Sequence, residues 1–151
     1  MLIMHKEVAS NRQAFYNYEI LDTFEAGIQL QGTEVKSLRN GKCVLGDSYV
    51  EIQENIPVIK LMSIPPYAFG NIHNHEEKRP RKLLLHKEEI LRIQKMIEQK
   101  GYTAIPLSLY FKKGLVKLKI GIGKGKKLHD KRSTIKERDL SREAQRAMKG
   151  D

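Results

Sequence analysis

The amino-acid sequence predicts a mainly β domain of about six short strands, with two to three helices around them, followed by a basic tail. Three observations carry this. Period-two alternation of apolar and polar residues recurs along the first 123 residues, as in Ile28-Gln29-Leu30-Gln31 and Val116 to Ile122. Helical spacing is confined to two stretches, one of them short. Beyond Gly123 the apolar side chains thin out and cations accumulate. The division is therefore 1–123 for the domain and 124–151 for the tail.

In chain order, Phe15 to Leu21 reads as a strand with Tyr16, Tyr18 and Ile20 on one face. Phe24-Glu25-Ala26-Gly27 leads into the alternation at Ile28. Gly32-Thr33 reads as a break and N-cap. Val35 and Leu38, three apart, with Gly41 at a capping position, predict a short helix over Glu34 to Asn40. Ser48 to Gln53 and Pro57 to Met62 form a hairpin through Glu54-Asn55-Ile56. The stretch from Ser63 to Arg81, with adjacent prolines and a Gly-Asn pair, reads as a long loop. His86 to Lys100 is the clearest helix, with Ile90, Ile93 and Ile97 on one stripe and Gly101 closing it. Thr103 to Phe111 and Leu115 to Ile122 form a last hairpin across Lys112-Lys113-Gly114. Its Val116, Leu118, Ile120 and Ile122 point inward, and Lys117 and Lys119 outward. Strands so short on a chain of this size predict a small closed barrel of the oligonucleotide-binding (OB) type, with an open α+β sheet as the competitor.

Composition narrows the function classes. Lys and Arg outnumber Asp and Glu by 28 to 18, a net charge of +10, which draws the chain to polyanions. No apolar stretch reaches the roughly 20 residues that span a bilayer, and the apolar Met1 to Met4 is too short for a signal-peptide core. The single cysteine, Cys43, has no internal partner, as fits a reducing compartment. The expectation is a cytoplasmic polyanion binder that does not engage membrane.

Lys78-Arg79-Pro80-Arg81-Lys82 runs into Leu83-Leu84-Leu85. Burial of the leucines would fix Arg79, Arg81 and Lys82 as a phosphate-gripping edge. Lys117 and Lys119 lead to Gly123-Lys124-Gly125-Lys126-Lys127, where glycines admit a phosphate chain close to the backbone, without the spacing of a P-loop. The tail holds ten Lys or Arg against five Asp or Glu. As a helix it would align Lys131, Ile135, Arg138, Arg142, Arg146 and Lys149. Like charges four apart oppose an isolated helix, so the tail is expected to be disordered when free and helical against a polyanion. His73 and His75 lack a third ligand at a zinc-site spacing. No nucleophile elbow, paired-carboxylate or Ser-His-Asp pattern occurs. No enzyme activity, metal or cofactor is expected.

Several blocks carry a resemblance: Asn11-Arg12, Phe24-Glu25-Ala26-Gly27, the run from Gly32 to Arg39 (with Lys36), Arg81 to His86, Gly101-Tyr102-Thr103, and Lys124-Gly125-Lys126-Lys127 followed by Asp130-Lys131-Arg132. In this order, from about residue 10 to the end, they resemble the bacterial small protein B family (SmpB, the SsrA-binding proteins). The resemblance implies an OB-type barrel that binds the tRNA-like domain of transfer-messenger RNA (tmRNA). It implies delivery of that RNA to stalled ribosomes, with functional links to alanyl-tRNA synthetase and elongation factor Tu. It also implies a tail that enters the decoding centre and empty mRNA channel of the small subunit.

Carried over by motif, the RNA-contacting positions are Asn11, Glu25, Leu84 and Lys117. Arg12, Lys36, Arg39, Arg79, Arg81, Lys82 and Lys119 are added as neighbouring candidates. The ribosome-facing positions are Lys124, Gly125, Lys126, Lys127, His129, Asp130, Lys131 and Arg132, then Ile135, Lys136, Arg138, Arg142, Arg146 and Met148. Gly123 departs from the alanine common in the family at that place. Two other classes compete on composition alone: a structural ribosomal protein, and a metal-dependent nuclease built on His73, His75 and Glu76.

Overall fold

The computed structural model describes residues 5–67 and 74–126. Seven strands and three helices follow in the order β1 (His5–Ser10), α1 (Arg12–Asn17), β2 (Tyr18–Ile28), α2 (Gly32–Arg39), β3 (Tyr49–Gln53), β4 (Ile56–Lys60), β5 (Arg81–Leu84), α3 (Lys87–Lys100), β6 (Thr103–Lys112) and β7 (Leu115–Gly125). All pairings are antiparallel, in the order β1-β6-β7-β2-β5-β4-β3. The mainly β class stands. Closure does not: no ladder joins β1 to β3 among the described residues, so the hydrogen bonding is that of an open sheet. The frame is the long β2–β7 ladder, which runs from Tyr18 opposite Gly125 to Gly27 opposite Lys117.

The core lies on the inner face of this sheet. Ala26, Leu118 and Leu109 meet in one cross-strand row, and Ile28 faces Leu83. Val116, Leu118, Ile120 and Ile122 are all buried, as their alternation predicts. Helix α3 contributes Ile93, fully buried, with Met96 and Ile97 packed partly against the cluster. Its first turn is closed by Glu89, whose carboxylate accepts the His86 backbone N–H at 2.9 Å. Its last turn ends on Gly101 at φ 67°, a left-handed position that favours glycine.

Five local readings are corrected. Phe15 to Leu21 is not one strand: residues 12–17 are helical, and Phe15 and Tyr16 lie exposed on that helix. Their aromatic, β-favouring character is outweighed by anchoring at the helix start, where the Asn11 N–H donates to the Leu107 carbonyl at 2.8 Å. The cap of α2 is Gln31 rather than Gly32-Thr33, with the Gln31 N–H donating to Glu34 at 2.7 Å. The β3–β4 turn is the pair Glu54-Asn55, both with positive φ, and Ile56 already belongs to β4. The alternation at Ile28 to Gln31 is not a separate strand, since the single strand β2 ends at Ile28; with β1 and β5, which the sequence pattern does not predict, the count among the described residues is seven. β5 is four residues long, too short for a periodicity to declare itself.

Candidate nucleic-acid interface

The outer face of the sheet carries the candidate site. Residues directly opposite in antiparallel strands share a face. One such row runs Glu7–Tyr110–Lys117–Gly27–Leu84 across β1, β6, β7, β2 and β5. The next row runs Ser108–Lys119–Glu25. Four residues scattered over 95 positions of sequence, Glu25, Leu84, Lys117 and Lys119, therefore stand side by side. Lys82, two before Leu84 on β5, joins the same face and is exposed.

Gly27 shapes the middle of this face. A Cβ there would meet the Leu84 Cβ at 3.3 Å, so its absence lets Leu84 lie close over β2 while staying 51% exposed. The result is a hollow of about 480 Å³ bordered by Glu25, Gly27, Leu84, His86, Glu89 and Lys117. A second hollow of the same size, bordered by Glu25, Ser108, Tyr110 and Lys119, adjoins it. An exposed leucine between cations gives an apolar platform for a base or sugar, with ammonium groups in reach of phosphate.

The acid at the centre is held in place. The Tyr110 hydroxyl donates to Glu25 Oε2 at 2.5 Å, and Lys112 Nζ lies 3.3 Å from both carboxylate oxygens. The Tyr110 bond, and then the Lys112 and Lys117 charges, hold the Glu25 carboxyl below its ordinary value against the opposing effect of burial. Burial, and then the carboxylate, push the Tyr110 phenol up, so it stays a donor. Tyr110 and Lys112 are the residues the sequence reading missed. The signal was present in β6, where Ser108, Tyr110 and Lys112 alternate with Leu107, Leu109 and Phe111.

The other candidates lie elsewhere. Asn11 is 8% exposed, and its side-chain amide donates to the Pro106 carbonyl at 3.0 Å, which ties α1 to β6. Arg12 is exposed on α1. Lys36 and Arg39 are exposed on α2, with Lys36 Nζ 5.7 Å from the centre of the Tyr67 ring. The basic run from Lys78 divides. Arg81 has no solvent access and pairs with Glu34 at 2.7 Å, so it is not a surface cation. Arg79 pairs with the same carboxylate at 2.7 Å and is partly exposed. The triple leucine divides too: Leu83 is buried, Leu85 half-buried and Leu84 exposed, because a strand alternates its faces.

His75 is buried, with Nδ1 2.8 Å from the Thr33 hydroxyl and Nε2 2.7 Å from the Ile64 carbonyl; His73 lies outside the described residues. Both ring nitrogens of His75 are thus engaged, Nδ1 with α2 and Nε2 with the backbone at Ile64. Among the described residues no three His, Cys, Asp or Glu side chains gather as a metal site would need, and no helix is long and apolar enough to cross a membrane. At the far end of β7, Lys124, Gly125 and Lys126 are exposed, and the Lys126 N–H donates to the Asn17 carbonyl at 2.8 Å. The candidate positions Lys127, His129, Asp130, Lys131, Arg132, Ile135, Lys136, Arg138, Arg142, Arg146 and Met148 lie outside the described residues.

Comparison with known proteins places this face in context. The family model described as SmpB protein matches residues 8–150. The SsrA-binding protein of Chlamydia muridarum is 56% identical over 144 residues, covering 95% of each chain. That of Trichormus variabilis is 53% identical over 146 residues, 96% of this chain and 94% of its own. The SsrA-binding protein of Treponema denticola is 46% identical over 144 residues, 95% and 94% respectively. Among solved structures, a chain described as "tmRNA-SmpB: a journey to the center of the bacterial ribosome" superposes with a TM-score of 0.67 at 45% identity. The match covers 79% of this chain and 84% of that one.

Proposed function

The chain belongs to the SmpB family, and from that premise we propose that it binds tmRNA and takes part in trans-translation, the rescue of ribosomes stalled without a stop codon. The observation that supports this best is the outer-face row, which sets an apolar residue, two lysines and a fixed carboxylate together without any catalytic grouping. Lys117, Lys119 and Lys82 would meet phosphates, Leu84 a base or sugar face, and Glu25 an N–H or O–H of the RNA. A face of this kind suits one folded RNA, the tRNA-like domain, better than an arbitrary polyanion, because the carboxylate repels any phosphate placed over it. Asn11 would act indirectly, by fixing α1 to β6.

The finer readings belong to the same proposal. The sheet would be a curled, incompletely closed form of the family's OB-type fold; the reading is supported by end strand β3 coming near β6, the neighbour of end strand β1, without a ladder. The tail from Lys124 reaches the decoding centre and empty mRNA channel of the small subunit and becomes helical there. The protein is cytoplasmic and non-enzymatic, and alanyl-tRNA synthetase and elongation factor Tu act on the RNA it carries.

Sequencing of the RNA that co-purifies with the tagged protein from its own cells tests this. One abundant RNA with a tRNA-like end is expected. Equimolar ribosomal RNA without it would favour a ribosomal protein instead. Removing residues 124–151 should spare binding of the tRNA-like domain and abolish peptide tagging on stalled ribosomes.

A further inference from the structure

We propose that Tyr110 is a positioning residue of the RNA interface: its hydroxyl fixes the Glu25 carboxylate so that the acid presents a pre-set acceptor to an N–H or O–H donor of the RNA. The inference rests on the reading of the outer face as that interface and adds a residue outside the family blocks that identify the chain. Glu25 lies 37% exposed at its side chain, on a strand face where a free carboxylate would sample several rotamers. Two groups on β6 prevent that. Tyr110 is 7% exposed and donates at 2.5 Å to Oε2, while Lys112 spans both oxygens at 3.3 Å. Tyr110 is itself held by the ladder, since its backbone stands opposite Glu7 on one side and Lys117 on the other.

The arrangement has a chemical direction. A phenol that keeps its proton at neutral pH donates and does not compete with Glu25 for RNA donors on its hydrogen side. An ionised carboxylate accepts only, so RNA must supply the donor. Lys117 and Lys119 flank it on the same face, where they balance its charge and leave it able to approach RNA. Without Tyr110, the ordering of Glu25 would have to occur on binding, at an entropic cost to affinity.

The test uses the full chain and two readouts. In the free protein, the side-chain carboxyl carbon of Glu25 is titrated by NMR in wild type and in Tyr110→Phe, with thermal unfolding by circular dichroism as the control for folding. The wild-type carboxyl should titrate below the ordinary carboxylate range, and Y110F should move it up towards that range. An unmoved titration in folded Y110F overturns the proposal.

In the second readout, tmRNA's tRNA-like domain is bound by wild type, Y110F, Glu25→Gln and the double variant. Y110F should weaken binding by about two- to tenfold, the scale of ordering one side chain on association. That loss should disappear in the E25Q background. An equal loss in both backgrounds shows that Tyr110 does not act through Glu25 and overturns the proposal. If E25Q binds like wild type, the interface reading of this face fails, and the NMR titration separately reports whether Tyr110 orders the carboxylate.

Discussion

Arg81 and Glu34 meet at 2.7 Å with neither side chain reaching solvent, and this pair ties the start of β5 to α2. Glu34 also accepts from Arg79 and from the Gln31 backbone. Arg81 donates to the Met62 carbonyl at 2.7 Å and the Glu77 carbonyl at 3.1 Å. One ion pair thus fixes the start of α2 and staples both ends of the 61–80 segment. Arg81→Met would leave Glu34 a buried charge short of a partner and two carbonyls without their donor. It should destabilise the protein by about 3–5 kcal/mol, read from urea unfolding.

The same pair predicts a pH dependence. Burial alone would raise the Glu34 carboxyl, but the hydrogen bonds from Arg79, Gln31 and Arg81 outweigh it, and the group lies below its ordinary value. A carboxyl depressed by folding contributes stability that is complete above its unfolded value. That contribution is lost as pH falls through the folded one. Wild type should therefore lose stability on acidification below the ordinary carboxylate range, while Glu34→Gln, already weaker at neutral pH, should show a flatter slope there. Urea midpoints measured from pH 7 down to pH 3 check the difference.

How far the sequence reached can be judged on these residues. Strands β6 and β7 were legible because buried side chains alternate cleanly over many positions, and α3 because its stripe and Gly101 agree. Arg81 was not, since a cation in a basic run looks like surface until its partner 47 positions away is placed beside it. Of the outer-face row, Lys117 and Lys119 were legible from the alternation of their strand, whereas Glu25 and Leu84 were legible only through family motifs. Register across five strands decides which residues meet, and no local pattern encodes it. Tyr110 shows the limit plainly: it belongs to an apolar strand by composition and to the interface by pairing.

The β3–β4 turn offers a gain in stability. Glu54 and Asn55 sit at φ 50° and 66°, as a two-residue hairpin turn with both central residues left-handed requires. Glutamate tolerates that region poorly, and Asn-Gly suits it best. The double substitution Glu54→Asn, Asn55→Gly should raise stability by about 0.5–1 kcal/mol, seen as a higher melting temperature. The interface lies on other strands, so RNA affinity should not change.

Gly123 predicts the opposite sign. It stands opposite Ile20, beside a register shift in β2, and a Cβ built on it would lie 2.5 Å from the Glu19 carbonyl oxygen. Backbone cannot swing aside as a side-chain tip does. Gly123→Ala should therefore cost about 1–3 kcal/mol through displacement of the ladder, measured by chemical denaturation.

The cations of the outer face should differ from the tail in what they control. Lys117 is half-buried between Tyr110 and Gly27, and Lys119 is exposed beside Glu25, so both hold fixed places in the row. A fixed cation that neutralises one phosphate adds about one unit to the slope of log affinity against log salt. Lys117→Ala and Lys119→Ala should each weaken binding of the tRNA-like domain and flatten that slope by about one, with the double variant losing about two. Lys6, an exposed cation on β1, supplies the control. If Lys6→Ala lowers the slope as much as Lys117→Ala does, the attraction is diffuse and the row has no special part in it. A slope that responds to Lys117 and Lys119 alone makes the row the seat of the RNA.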